Sequence, residues 1–442
     1  MAQTRGAMLR LSALVGERSL FEHNDDFRKL WIARLLSHIP VNALVYTMLI
    51  LVVDATGKSF FSSLFVVAYI APTAALGTVS GVLVDRMPKG LVLAGSNAVR
   101  AGLCILLAIS TGNVITIYVI AVMFAVASQI AGPAEGAALP AVVAPADLTA
   151  ANSLNNLQAL ISQIVGLMIL PIVFLKTVGP EALAIACAVM FAVAAFNFRL
   201  IDGLGGAISE MPDSIAETRE RFAEAWHRLS LDSVSYISMV VVVLANTTGL
   251  VVVTLLPRFS AQVLHVNTEN VIFVAAPAAI GIWLAMRFVR RLSGRVSPWI
   301  SVGGSFAALV AGVVLLAFVP LFGDGLAAAN PLGLFDPGPF GQGTARIIIS
   351  SVLGACLAFA FTFVNIVGRS VINERMPQEM QGRVFAGQNV LTTLASIAPI
   401  LLTGLLADVI GISPVFVLIA IVCALLAAYY TAKNLARPAA AR

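Results

Sequence analysis

Two arginines stand inside stretches that otherwise carry no acid and no other strong base: Arg34 in residues 30–53 and Arg100 in residues 91–110. A cation at the depth of a bilayer core costs at least ~2.5–3.5 kcal/mol, so each needs a partner within the protein. Arg100, near the middle of its run, could hold an anionic group of a substrate, tune a proton-exchanging carboxylate, or close a structural bridge. Arg34, one turn into its run, suits snorkelling or a gate contact. Acids are scarcer. Glu135, after Gly132-Pro133, is a candidate proton-exchanging group and equally a partner for Arg34, whereas Asp54, Asp85 and Asp408 close the ends of runs. The amides Asn42, Gln129, Gln163, Asn246 and Asn365 could line a polar path or bond helices together, typically at ~0.6 kcal/mol each. Of His23, His38, His227 and His265, only His38 lies within a run, where a packed or helix-bonded ring is commoner than a proton relay. The chain lacks a phosphate-cradling G-x-x-x-x-G-K-S/T loop, H-E-x-x-H, C-x-x-C and any Ser-His pairing. It therefore reads as no enzyme, with no cofactor and no metal. Cys104, Cys187, Cys356 and Cys423 each sit in an apolar run, as packing residues.

What must position these groups is a set of membrane helices. With 442 residues, 59% hydrophobic, 11% charged and a mean hydropathy of +0.96, the chain lies far from soluble domains, which carry about 25% charged residues. Apolar runs long enough to span a bilayer fall at residues 30–53, 60–84, 91–110, 114–130, 154–175 and 181–200. Six more fall at 234–256, 271–288, 299–319, 347–367, 384–407 and 414–432. The expected fold is all-α: twelve transmembrane helices in two six-helix bundles. The expected division is an N-terminal tail (1–28), a first bundle (29–200), a charged linker (201–232), a second bundle (233–433) and a C-terminal tail (434–442). The N-terminal tail reads as mobile or loosely docked. Acids and arginines three and four apart in the linker read as a solvated amphipathic helix. Residues 323–343, rich in Gly and Pro, read as an external loop.

The net charge of +5 does not mark a nucleic-acid binder, because its placement is that of a membrane protein. With the N-terminus in the cytoplasm, twenty-one of the 27 Lys and Arg fall on the cytoplasmic side, and only Lys58, Lys176, Arg258 and Arg346 fall outside. Both termini are therefore expected in the cytoplasm of a cell whose inner membrane the chain crosses many times.

Between the second and third runs stands Gly81-Val82-Leu83-Val84-Asp85-Arg86-Met87-Pro88-Lys89. It resembles the loop signature of the major facilitator superfamily, G-x-L-A-D-R-x-G-R-K, matching at Gly81, Leu83, Asp85, Arg86 and Lys89. Pro88 in place of Gly is similar to the drug and siderophore exporter branch, which includes enterobactin-exporter and macrolide-efflux proteins. Residues 138–154, the stretch Pro377 to Phe385 with Gln381-Gly382-Arg383, and Gly404-Leu405-Leu406-Ala407-Asp408 resemble patterns of the same branch. Pro145-Ala146-Asp147-Leu148 and Pro377-Gln378-Glu379-Met380 repeat across the halves, each placing an acid at a helix start, where the dipole favours an anion.

The resemblance implies a monomeric secondary transporter that exports small amphipathic or hydrophobic molecules by alternating access, driven by protons. Its partners are then the small-molecule substrate, protons and the lipid bilayer, with no nucleic acid. It also implies a cytoplasmic latch, in which Asp85, Arg86 and Lys89 with Gly81 meet the start of the eleventh span near Gly382 and Arg383. A lysophospholipid flippase of the same fold and a non-transporting membrane receptor or scaffold are the competing expectations.

Overall fold

The computed structural model describes residues 20–76, 80, 84, 87–204, 224, 226–265, 277–292, 297–328 and 344–435. Every described regular element is helical, as lipid demands of a chain that must satisfy its backbone internally. In order these are α1 (Asp25–Thr56), α2 (Ser59–Leu76), α3 (Lys89–Ala108), α4 (Val114–Val142) and α5. The last runs from Leu148–Gln163 through a π-helical stretch, Ile164–Ile169, into Leu170–Thr177. There follow α6 (Pro180–Arg199), α7 (Ser233–Gln262), α8 (Ala278–Leu292) and α9 (Pro298–Ala317). The chain then forms α10 (Val319–Ala328), α11 (Thr344–Arg375), α12 (Gln378–Ile410) and α13 (Ile412–Leu435).

Among the described residues, 11 helices are long and apolar enough to cross a membrane. The run expected at 271–288 appears as α8, shorter because residues 266–276 lie outside the described ones. Most of the linker, including its acidic and arginine-rich part at 205–223, also lies outside them.

Local chemistry sets the helix ends. Asn113, Asp232 and Ser297 each accept a backbone N–H three residues on, capping α4, α7 and α9. Gly57 and Gly411, at φ 62° and 86°, turn the chain between α1 and α2 and between α12 and α13, where a side chain would be strained. At the repeated Pro-x-acid starts, Asp147 makes no side-chain capping bond, so only the dipole is left to favour its charge there.

Four helix boundaries depart from the expected ones. First, α1 begins at Asp25, and the end of the tail is docked. Leu20 and Phe27 are buried, and Asn24 accepts from the Phe27 N–H while donating to the Val142 carbonyl, both at 2.8 Å. Phe21 packs edge-on against Phe27 and Trp31, so short polar residues there serve as a cap, not a linker. Second, α4 continues to Val142 through Pro133 and Pro140, twelve residues beyond its expected end, which puts Glu135 inside a helix. Third, the start of the expected external loop is helical as α10. Asp324 on it is gripped by Arg346 at 2.7–2.9 Å, and Arg346 also donates to the Val263 carbonyl. The Gly- and Pro-rich remainder, 329–343, lies outside the described residues. Fourth, α12 starts at Gln378, so Gly382 and Arg383 occupy its second turn, and Gln381 caps the end of α11 through the Asn373 and Met376 carbonyls.

The chain falls into two compact units: residues 1–51 with 75–212, and residues 52–74 with 213–442. In the first, α3 packs chiefly on α6 and α4, around a core that includes Leu93, Ala134 and Phe198. In the second, α11 packs on α7, α8 and α9, and α13 on α9 and α7, around Val242, Leu255, Val364 and Phe416. Most of α2 belongs with this second unit.

Candidate functional site

On α1 of the first unit, Arg34, His38 and Asn42 recur every four residues, with Ser37 beside them, so they share one helix face. This face meets polar groups on three other helices. The Arg34 guanidinium, 5% exposed, donates through Nη1 to Asn155 Oδ1 at 2.7 Å and through Nη2 to the Glu135 carbonyl oxygen. Its Nε has no protein acceptor. One turn on, His38 Nε2 lies 3.0 Å from Glu135 Oε2. The carboxylate therefore pairs with the imidazole, while the arginine takes the same residue's backbone. Arg34 and Arg100 both also act electrostatically on Glu135.

Arg100 lies deeper, 3% exposed. It donates to Ser37 Oγ at 3.1 Å and Ser128 Oγ at 3.0 Å, and its guanidinium carbon stands 5.8 Å and 5.9 Å from the Phe124 and Phe191 ring centres. Ser37 in turn donates to Asn97 Oδ1 at 2.8 Å. Arg100 thus ties α1, α3, α4 and α6 together, the structural role, and is sealed from any ligand in this arrangement. In this cluster, among the described residues, the charges of Arg34 and Arg100 act on the one carboxylate of Glu135.

Asn42 donates to the Ser162 carbonyl at 3.3 Å, just before the π-helical turn of α5. There Gly166 brings α5 against α1: a Cβ at 166 would collide with the Ile39 carbonyl and lie 2.8 Å from Asn42 Cβ. Wide π turns recur at functional positions. Gln163 is exposed and Gln129 half-buried. In the second unit Asn246 and Asn365 meet at 3.1 Å, each also bonded to a carbonyl of its own helix, which makes them a bridge between α7 and α11. That unit also holds an apolar cavity of about 690 Å³ between α7, α9 and α13, bordered by Ile237, Ser238, Val302, Phe306, Ala424 and Thr431.

Of the expected gating residues, Gly81, Asp85 and Arg86 lie outside the described residues. Lys89 opens α3, and Gly382 and Arg383 lie in α12. His38, expected to be a packed or helix-bonded ring, is bonded to Glu135, and its four-residue spacing from Arg34 places both on one face. Sequence reasoning missed Asn155, for which no local signal exists. Among the described residues, no three His, Cys, Asp or Glu side chains are grouped to hold a metal.

The family model of the Major Facilitator Superfamily matches residues 30–351. The chain belongs to the Major Facilitator Superfamily. Its membership makes it a multi-pass membrane transporter that moves small solutes by alternating access. No curated protein matches it by sequence. Solved structures of several superfamily branches share its fold. The nucleoside transporter NupG matches with a TM-score of 0.67 at 13% identity, over 94% of this chain and 100% of that one. A bacterial homologue of the human lysosomal transporter Spinster gives 0.67 at 11%, over 94% and 97%. A bacterial homologue of the iron transporter ferroportin gives 0.65 at 15%, over 93% and 99%. Such distant likenesses establish the superfamily fold and favour no branch.

Proposed function

We propose that this transporter is a proton-coupled exporter of small amphipathic or hydrophobic molecules, in which Glu135 and His38 exchange the coupling proton. The observation that carries the reading is the 3.0 Å His38–Glu135 pair within the first unit. Imidazole is the side chain whose charge ordinarily changes near neutral pH, and a carboxylate bonded to it is a natural proton-exchange partner. Proton uptake by the pair changes the local charge by one unit beside Arg34, and it drives alternating access to the extent that the inward- and outward-open states hold the pair differently. Arg34 positions the pair by holding the α4 backbone at Glu135. Export, and a drug- or siderophore-like substrate, are supported by the Gly81–Lys89 signature and the Gly404–Asp408 ending. Asp85, Arg86 and Lys89 are the proposed cytoplasmic latch. Substrate accumulation in inverted vesicles, whose cytoplasmic face meets the medium, tests the reading: uptake should collapse when the proton gradient is dissipated.

A lipid-flipping alternative gains one observation, the apolar cavity between α7, α9 and α13, which suits an acyl chain. Flux of a lysolipid that persists without a gradient would select that alternative instead.

A further inference from the structure

Asp408, at the end of α12, turns its carboxylate onto the start of α2. Oδ1 accepts the Ser59 N–H at 2.7 Å and Oδ2 the Phe60 N–H at 2.9 Å. These are two of the four N–H groups that a helix start leaves without an internal acceptor, and they carry the positive end of the helix dipole. The acid that caps α2 is thus supplied from 348 residues away and not by the preceding loop. Arg258 of α7 stands 3.9 Å from the same carboxylate.

The contact is held at close range by glycine. A Cβ at Gly404, one turn before Asp408, would overlap Ser63 Oγ and lie 2.9 Å from the Ser59 carbonyl oxygen. Against this, Ser59, Ser62 and Ser63 at this end of α2 are completely buried, and none of their hydroxyls has a protein partner. Buried polar groups without partners favour any state that hydrates them. Two charge-assisted bonds therefore close the contact, and three orphaned hydroxyls oppose it. A contact so balanced suits an element that must both form and release.

We infer that Gly404 and Asp408 form an outer latch, which closes α2 onto α12 on the extracytoplasmic side and releases when the transporter opens outward. The spacing Gly404-x-x-x-Asp408 repeats that of Gly81-x-x-x-Asp85, which stands after the opposite end of α2. One motif shape would then serve a latch at each side of the membrane. The inference rests on alternating access and on the assigned orientation, but not on proton coupling or on the substrate.

The test is a distance measurement between spin labels on Lys58→Cys and Val409→Cys, both exposed, after replacing the four native cysteines. Asp408→Asn should raise the ratio of long to short distances about tenfold, the loss of roughly one charge-assisted bond. Asp408→Glu should recover part of the short population. Replacing Ser59, Ser62 and Ser63 together by Ala should act in the opposite sense and favour short distances. An Asp408→Asn protein that melts earlier with an unchanged distance distribution would reduce Asp408 to a static cap and overturn the latch. So would a triple-Ala protein that favours long distances. Because no substrate or gradient enters the measurement, its failure leaves the proton-coupling proposal standing.

Discussion

Nε2 of His38 stands 3.0 Å from Oε2 of Glu135, joining α1 to α4 across 97 residues of sequence. His38→Asn keeps a hydrogen-bond donor at that place but removes the imidazole. Transport by this variant is expected to fall roughly ten- to hundredfold, the worth of one charge-assisted bond, and to lose the shape of its wild-type pH profile. Substrate binding, read by thermal stabilisation, should survive. The check is the pH dependence of initial efflux rate from pH 5.5 to 8.5, a span of about three units around the ordinary histidine range.

Arg100 is expected to act on stability. It touches Ser37, Ser128, Phe124 and Phe191 and is sealed from solvent. Arg100→Ala should cost about 2 kcal/mol or more and lower both membrane abundance and melting temperature, because it removes the bonds to Ser37 and Ser128 and leaves a cavity beside Phe124 and Phe191. Arg100→Lys should recover part of the loss. A stable Arg100→Ala protein without transport would return Arg100 to the substrate path.

Gly166 fixes the approach of α5 to α1 at the π turn. Gly166→Val should destabilise the detergent-solubilised protein by about 1–3 kcal/mol through overpacking against Ile39 and Asn42. Gly102→Val, where a Cβ would meet nothing within 4 Å, serves as the control and should cost far less.

Orientation is checked at Ala328, the last residue of α10. A Cys placed there should react with a membrane-impermeant thiol reagent applied to intact cells. Protection in intact cells, with labelling only after lysis, would invert the assigned topology.

The helices were legible because a stretch of about twenty apolar residues in lipid has one stable backbone solution. What was illegible depended on groups far apart in sequence or on chemistry that composition conceals. The apolar run read as ending at residue 130, yet the α4 backbone carries on through Pro133 and Pro140, and that extension carries the helical residue Glu135, which meets His38. The start of the Gly- and Pro-rich segment read as loop, but Arg346 anchors Asp324 and holds α10. Asn24 fell in a tail that read as mobile or loosely docked, and it caps α1 while bonding the Val142 carbonyl. Asp408 read only as an acid closing the end of its run, and its carboxylate caps α2. In the site, Arg34, Glu135 and Arg100 were found as candidates from their cost in lipid. Their partners, Glu135 with His38, Arg34 with Asn155 and the Glu135 backbone, and Arg100 with Ser37 and Ser128, needed the distances.

Proton coupling through Glu135 is tested most directly with Glu135→Gln in proteoliposomes carrying an imposed proton gradient. Gradient-driven substrate accumulation is expected to fall about a hundredfold, while substrate-for-substrate exchange, which needs no net proton movement, stays within about twofold of wild type. Undiminished gradient-driven accumulation by Glu135→Gln would contradict the assignment of the coupling proton to this residue.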